Sequence, residues 1–263
     1  MSHQPRKRFG QNFLRDERVL QGIVSAMAPK VDEHLVEIGP GQGALTRYLL
    51  PACKVLDVVE LDRDLVDLLK TKFVDAPHLR IYSGDALKFD FAALSAGEKL
   101  RVIGNLPYNI STPLLFHLFD QGGSILDMHF MLQKEVVDRL CAGPGDSDYG
   151  RLSIMAQFFC SMEPLLDVGP ESFYPVPKVM SSVVRLVPHE TKPVAVDAGA
   201  LGRVVTAAFS QRRKTLRNSL AAFFNADEIR SVDIDPQVRA ETLGLEQFAR
   251  LVRLLLSRSE NPK

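Results

Sequence analysis

The sequence has no excess of charge of either sign, few cysteines and no long apolar run. Lys plus Arg and Asp plus Glu each total 32 in 263 residues. No molecule-wide field therefore attracts a polyanion, and any nucleic-acid contact must come from local patches. The three cysteines, Cys53, Cys141 and Cys160, stand far apart without a C-x-x-C pair. That argues against a disulfide framework or a zinc site and for reduced thiols in a cytosol. The six histidines also lack metal-ligand spacing, so no metal is expected. The longest uncharged run, 102–119, is broken by Asn105, Pro107, Asn109 and Pro113, and no apolar segment follows Arg6, Lys7 and Arg8. Neither stretch suits a membrane span or a leader, and a cytoplasmic protein without a membrane segment is expected. What is present is core material: 46% hydrophobic against 24% charged residues, enough at roughly 100–200 residues per domain for two domains.

Along the chain, strand-like apolar runs alternate with helical periodicity. His34 to Ile38, Val55 to Glu60, Leu79 to Tyr82, Leu100 to Gly104 and Met128 to Leu132 read as strands. Val19, Leu20, Ile23, Val24 and Met27 form one helical face. Further helices start near Gly43, after Asp62 as cap, and at Ser111 with Pro113. Such alternation predicts a parallel, doubly wound α/β sheet whose ligands sit at the carboxyl ends of its strands. The texture changes at "PHETKPVAVDAG", 188–199, which reads as a linker. Only helical patterns follow, so the expected domains are 1–188, the α/β unit, and 189–263, a small all-α unit.

Four strand ends carry the chemistry. "EIGPGQGALT", 37–46, puts Gly39, Gly41 and Gly43 between a strand and a helix, where bare backbone can approach a ligand. The loop alone leaves a nicotinamide enzyme, an S-adenosylmethionine enzyme and a structural tight turn open, since Gly39-x-Gly41-x-x-Ala44 with Glu60 about 20 residues on also fits a dinucleotide fingerprint. Glu60 ends the second strand, where its carboxylate can accept from ribose hydroxyls or simply be solvated. Asp85, after the third, can accept from an adenine amino group or cap a turn. The fourth strand ends in "GNLPYN", 104–109: Asn105 offers an acceptor, Pro107 stiffens the backbone and Tyr108 presents a flat amphipathic face. Together the four positions suit the parts of an adenosyl ligand and a planar amino substrate better than any one does alone.

The blocks "RKRFGQNFL" (6–14), "VEIGPGQGALT" (36–46), "VVELDRDL" (58–65), "GNLPYNISTPLLFHL" (104–118), "MHFMLQKEVVDRL" (128–140), "YGRLSIMAQFF" (149–159), "FYPVPKVMSSVVRL" (173–186) and "FSQRRKTLRNSL" (209–220) resemble the KsgA type of ribosomal RNA adenine dimethyltransferase. The resemblance implies a Rossmann-like, seven-stranded class I methyltransferase sheet with a small all-α C-terminal domain. It implies S-adenosyl-L-methionine as cofactor, and dimethylation at N6 of two adjacent adenines in a hairpin loop near the 3′ end of small-subunit rRNA, within an assembling 30S subunit and by a monomer. Carried onto this sequence, cofactor contacts fall on Asn12, Leu14, Gly39, Gly41, Glu60, Leu61, Asp85, Ala86 and Asn105. Asn105, Leu106, Pro107 and Tyr108 hold the adenine, and Phe173 stacks on its other face. Gln42-Gly43 and Tyr174 depart from the family pattern beside these positions.

On this reading Asn105 Oδ1 and the Leu106 carbonyl each accept an amino N–H, which localises the nitrogen lone pair and aims it at the methyl group. Tyr108 helps offset the cost of unstacking the base. Arg212, Arg213, Lys214 and Arg217 on a basic helix, with Arg6, Lys7, Arg8 and Arg15 near the other end of the chain, are expected to contact RNA phosphates. The readings to be separated from this one are a large-subunit rRNA methyltransferase of the erythromycin-resistance type, a nicotinamide oxidoreductase and a non-catalytic assembly factor.

Overall fold

A computed structural model describes residues 11–260. Along them run β1 (Phe13–Leu14), α1 (Glu17–Met27), β2 (His34–Ile38), α2 (Thr46–Leu49), β3 (Val55–Glu60), α3 (Arg63–Lys72), β4 (Leu79–Ser83), β5 (Leu100–Asn105) and α4 (Ser111–Asp120). There follow β6 (Ile125–Gln133), α5 (Lys134–Cys141), α6 (Arg151–Phe159), β7 (Cys160–Val168), β8 (Phe173–Tyr174), β9 (Ser181–Pro188), α7 (Ala198–Ala208), α8 (Leu216–Ser219), α9 (Ala226–Arg230) and α10 (Leu245–Glu260).

Strand β2 is buried at all five residues, the pattern of a strand covered on both faces. It lies at the centre of a seven-stranded sheet of order β4-β3-β2-β5-β6-β9-β7. Pairing is parallel from β4 through β3, β2 and β5 to β6, and antiparallel between β6 and β9. The sheet has the seven strands expected; its doubly wound part is parallel from β4 to β6, and β9 makes it mixed. A parallel neighbour needs a crossover helix, and residues 169–180 before β9 provide only a single 3-10 turn and β8. From β2 the chain goes to β3 and β4 on one side and returns to β5 and β6 on the other. The crevice between the ends of β2 and β5 is thus a topological switch point, where open α/β sheets bind ligands.

Caps and buried faces explain the helices that frame this crevice. Asp16 Oδ1 accepts from the Arg18 and Val19 N–H groups and starts α1. The Leu20, Ile23 and Met27 face of α1 then buries on Leu35, Leu56, Val58 and Ile103 of the sheet. Asp62 caps α3 as expected, accepting from Asp64 N–H. The helix expected near Gly43 begins later, at Thr46, because the preceding residues form turns.

The chain divides into two compact units, one of residues 1–137 with 162–188 and one of 138–161 with 189–263. The helical unit thus recruits a segment that precedes residue 188 in sequence. Within it Phe209 stacks on Phe248 at 6.1 Å, and the Tyr149 hydroxyl donates to the Leu243 carbonyl at 2.8 Å. The expected basic helix is instead a turn. α7 stops at Ala208, residues 210–214 form turns and bends, and α8 starts only at Leu216. Thr215 is held extended by its bridge to Arg239.

In the α/β unit, Arg101 fastens α1 to the sheet. Its guanidinium donates to both carboxylate oxygens of Asp127 at 2.8 and 3.0 Å, to Glu33 at 2.7 Å, and to the Met27 and Ala28 carbonyls at the end of α1 at 2.7 and 3.4 Å. Removing Arg101 leaves Asp127 with the half-exposed Arg185, 3.3 Å away, and loss of one member of a buried pair costs up to about 3–5 kcal/mol. Urea denaturation of Arg101→Ala should show a loss of that order, and a loss under about 1 kcal/mol would contradict the anchoring role.

Candidate active site

The switch-point crevice is a cavity of about 260 Å³ in the α/β unit. Its floor is close-approach backbone. Gly41 has φ +58°, and a Cβ there would lie 3.0 Å from the Phe13 ring. A Cβ at Gly104 would meet the Ile38 carbonyl oxygen at 2.5 Å. Glycine is required at both positions, the first by conformation and contact, the second by contact alone.

Three carboxylates face this cavity. Glu60, at the end of β3, is buried; its Oε2 accepts from Gly41 N–H at 3.1 Å and its Oε1 from Asp62 N–H at 2.9 Å. Burial raises its pKa above the ordinary carboxylate value, opposed by the N–H groups of Asp62, Gly41 and Leu61. The Gly41 N–H is thereby committed to the protein's own carboxylate, and the cavity wall is acidic, unlike a cradle for a pyrophosphate. Asp85 fulfils the turn-capping role, its Oδ1 accepting from Leu87 N–H at 3.0 Å, and it also lines the cavity. Glu37 was not singled out in the sequence. It is buried on β2, accepts from the Thr46 hydroxyl at 2.6 Å and lines the cavity floor. Burial pushes its pKa up to about 7, with the charge of Glu60 adding and the Thr46 hydroxyl opposing.

Residues 11–15 lie over the cavity and are tied to it at several points. Gln11 Nε2 donates to Asp62 Oδ2 at 3.3 Å, and β1 pairs antiparallel with β8, Phe13 with Tyr174 and Leu14 with Phe173. The decisive contact is at Asn105, whose Nδ2 donates to the Asn12 carbonyl at 2.9 Å. That bond fixes which way the amide points, and Oδ1 accepts no hydrogen bond among the described residues. The next carbonyls divide likewise. Pro107 O accepts from Ile110 N–H and Tyr108 O from the Ser111 hydroxyl, both at 3.1 Å, whereas no described donor reaches Leu106 O. The Tyr108 hydroxyl is fixed by Ser181 at 2.9 Å.

Of the positions expected to form a site, Asn12, Leu14, Gly39, Gly41, Glu60, Leu61, Asp85, Ala86, Asn105, Leu106, Pro107 and Tyr108 all line this one cavity. Phe173 does not: it is only 3% exposed and packs in the core with Leu14, while the exposed aromatic of its strand is Tyr174. Arg213, Lys214 and Arg217 are exposed on the helical unit. Arg212 there already faces Glu241 at 3.8 Å and donates to the Ser147 carbonyl. Arg6, Lys7 and Arg8 lie outside the described residues. A further cavity residue, His129, is 1% exposed with neither ring nitrogen hydrogen-bonded among the described residues. Burial takes its pKa down to about 4 and keeps it neutral.

A family model described as ribosomal RNA adenine dimethylase matches residues 2–256. A protein of Methylococcus capsulatus named ribosomal RNA small subunit methyltransferase A is 59% identical over 255 residues, 97% of this chain and 99% of the relative. A protein of the same name from Marinobacter nauticus is 55% identical over 96% of this chain and 92% of its own length. Among solved structures, a dimethyladenosine transferase from Plasmodium falciparum superposes with a TM-score of 0.81 at 27% identity, covering 94% of this chain and 98% of that one. The 23S rRNA methyltransferase ErmE superposes at 0.71 with 23% identity, covering 93% and 99%, a likeness of fold alone.

The raised pKa of Glu37 has a consequence for stability. A carboxyl whose folded value is about 7 against 4.5 unperturbed favours the fold fully below pH 4.5, and that contribution is lost as pH rises to about 7. Relative to Glu37→Gln, the native chain should lose about 3 kcal/mol of stability across that window. Denaturant titrations at pH 4.5 and 7.5 measure it, and an unchanged difference between the two proteins would mean that folding does not raise the Glu37 pKa.

Proposed function

Because the chain belongs to the ribosomal RNA adenine dimethylase family, we propose that it uses S-adenosyl-L-methionine to dimethylate N6 of two adjacent adenines in the hairpin loop near the 3′ end of small-subunit (16S) rRNA. Its substrate is the assembling 30S subunit, and it works as a monomer in the cytoplasm. The observation that carries the reading is the division of labour at Asn105: Nδ2 is held by the Asn12 carbonyl, while Oδ1 and the neighbouring Leu106 carbonyl remain as two acceptors beside one cavity.

The cavity suits such a methyl donor. We assign Glu60 to the ribose hydroxyls and Asp85 to an adenine amino group; both line the cavity together with Asn12, Leu14, Leu61, Ala86, Gly39 and Gly41. When bound, S-adenosyl-L-methionine supplies a methyl group already activated by its sulfonium. What remains for the protein is to localise a lone pair that adenine delocalises into its ring. Two acceptors on the amino N–H groups favour a pyramidal nitrogen, and fixing its direction is a positioning contribution. Pro107 stiffens the Leu106 carbonyl, and Tyr108, braced by Ser181, stacks on the base. Phe173 serves as the second stacking face only if its ring leaves the packing against Leu14. On the helical unit, Arg213, Lys214 and Arg217 are assigned to rRNA phosphates, with Arg6, Lys7 and Arg8 as a second basic group and Arg212 partly committed to Glu241.

The relatives named for the small subunit, at 55–59% identity over nearly the whole chain, favour this over a large-subunit substrate. Labelled methyl transfer to unmodified small subunits, followed by nucleoside analysis, is the direct experiment. The native chain should yield dimethyladenosine, and Asn105→Ala should lose about 100-fold or more in rate. Glu60→Ala should weaken S-adenosyl-L-methionine binding by about 1.5–3 kcal/mol in calorimetry. Methylation by Asn105→Ala at the native rate would refute the mechanism, and absence of dimethyladenosine with the native chain would refute the function.

A further inference from the structure

Strand β8 presents its two aromatic residues to opposite sides. Phe173, opposite Leu14, is buried in the core at 3% exposure, while Tyr174, opposite Phe13, is 46% exposed. The Arg15 guanidinium lies 3.9 Å from the centroid of the Tyr174 ring and covers one of its faces. Arg15 also lines the cavity, so this cation and ring stand at its rim. The mount is rigid, since Arg15 N–H donates to the Ser172 carbonyl at 2.8 Å and extends the β1–β8 pairing by one more bond. Beyond Tyr174 the chain continues through exposed Val176, Lys178, Val179 and Met180.

We propose that Tyr174, backed by Arg15, is a stacking platform for the unpaired rRNA nucleotide next to the adenine held at Asn105. The inference rests on the reading of the cavity as the adenine methylation site, and it adds a second nucleotide-binding position outside that cavity. An aromatic ring needed only for packing would be buried, as its neighbour Phe173 is. A π face held in solvent beside a guanidinium is what single-stranded nucleic acid uses: the ring takes a base, and the cation polarises the ring and meets a phosphate. The mixture of ring, arginine and Lys178 favours an RNA loop over an apolar partner, which would leave two charges unmatched. Because the ring is prefixed by β8 and Arg15, little side-chain freedom is lost when a base stacks on it. A substrate with two adjacent target adenines gives such a position a use, since the base waiting its turn is held beside the one in the cavity.

The test uses the full chain with unmodified small ribosomal subunits. Tyr174→Ala and Tyr174→Leu should raise the KM for subunits about tenfold, within the range expected for loss of one stacked base, and should change kcat less than KM. Tyr174→Trp, which keeps a π face, should stay within about twofold of the native KM. The native chain contains no tryptophan, so Tyr174→Trp also carries one indole reporter, whose emission should be quenched by a single-stranded adenine-containing RNA oligonucleotide and not by a blunt RNA duplex. A native-like KM in Tyr174→Ala, or unquenched emission under conditions where filter retention shows the oligonucleotide bound, overturns the platform. Failure of the native chain to methylate small subunits would instead overturn the reading of the cavity, and indole quenching would still report on Tyr174.

Discussion

The hydrogen bond from Asn105 Nδ2 to the Asn12 carbonyl, 2.9 Å long, is the contact on which the rest of the site depends. It joins the end of β5, at the switch point of the sheet, to the segment that covers the cavity, and it decides which end of one amide is left without a partner among the described residues. A single neutral hydrogen bond contributes only about 1 kcal/mol net, so it could not hold the covering segment unaided. The β1–β8 pairing, the burial of Leu14, and the Gln11 to Asp62 bond bring the Asn12 carbonyl to the right place. Orientation of the Asn105 amide is thus a product of the core as much as of the cavity lining.

The same crevice concentrates carboxyl groups. Glu37, Glu60 and Asp85 lie along its wall, and burial raises the pKa of the first two. Keeping carboxylates out of water is costly unless something returns the lost solvation. Part comes from the backbone N–H groups at Glu60 and the Thr46 hydroxyl at Glu37. A ligand carrying positive charge would return more, whereas a dinucleotide phosphate at this glycine loop would add to the cost.

Much of this arrangement is legible in the sequence. The ends of β2 and β3 coincide with the expected strands, and the polar residues that close β2, β3, β4 and β5 do line one cavity, because parallel topology forces successive strand ends to converge. Other features depend on partners that sequence distance hides. Strand β7 alternates less apolar material, with a burial pattern mostly intermediate or exposed, and gives no apolar run to read. The basic segment of residues 212–214 looks helical by composition, yet the bridge from Thr215 to Arg239 interrupts it, and Glu241 meets Arg212 from a distant turn. Phe173 and Tyr174 are neighbours of similar chemistry, and only the pairing with β1 decides which is buried. Glu37 could have been noticed as the one carboxylate of β2, although its proton state depends on burial and on Thr46 and Glu60. The donor role of Asn105 has no sequence signal, since the carbonyl it meets belongs to residue 12.

The central claim is that the Asn12 carbonyl needs a donor at position 105 while the proposed substrate needs an acceptor there. Asn105→Asp separates the two requirements. Ionised, the carboxylate sets a second acceptor against the Asn12 carbonyl; protonated, it can donate to that carbonyl and still offer an oxygen to the substrate. The measurement is the single-turnover methyl-transfer rate of Asn105→Asp relative to the native chain, on unmodified small subunits, from pH 8 down to pH 5.5. The account predicts that the ratio climbs by about tenfold or more as the carboxyl takes up its proton. A ratio that stays flat across the range, or a variant as fast as the native chain at pH 8, would contradict it.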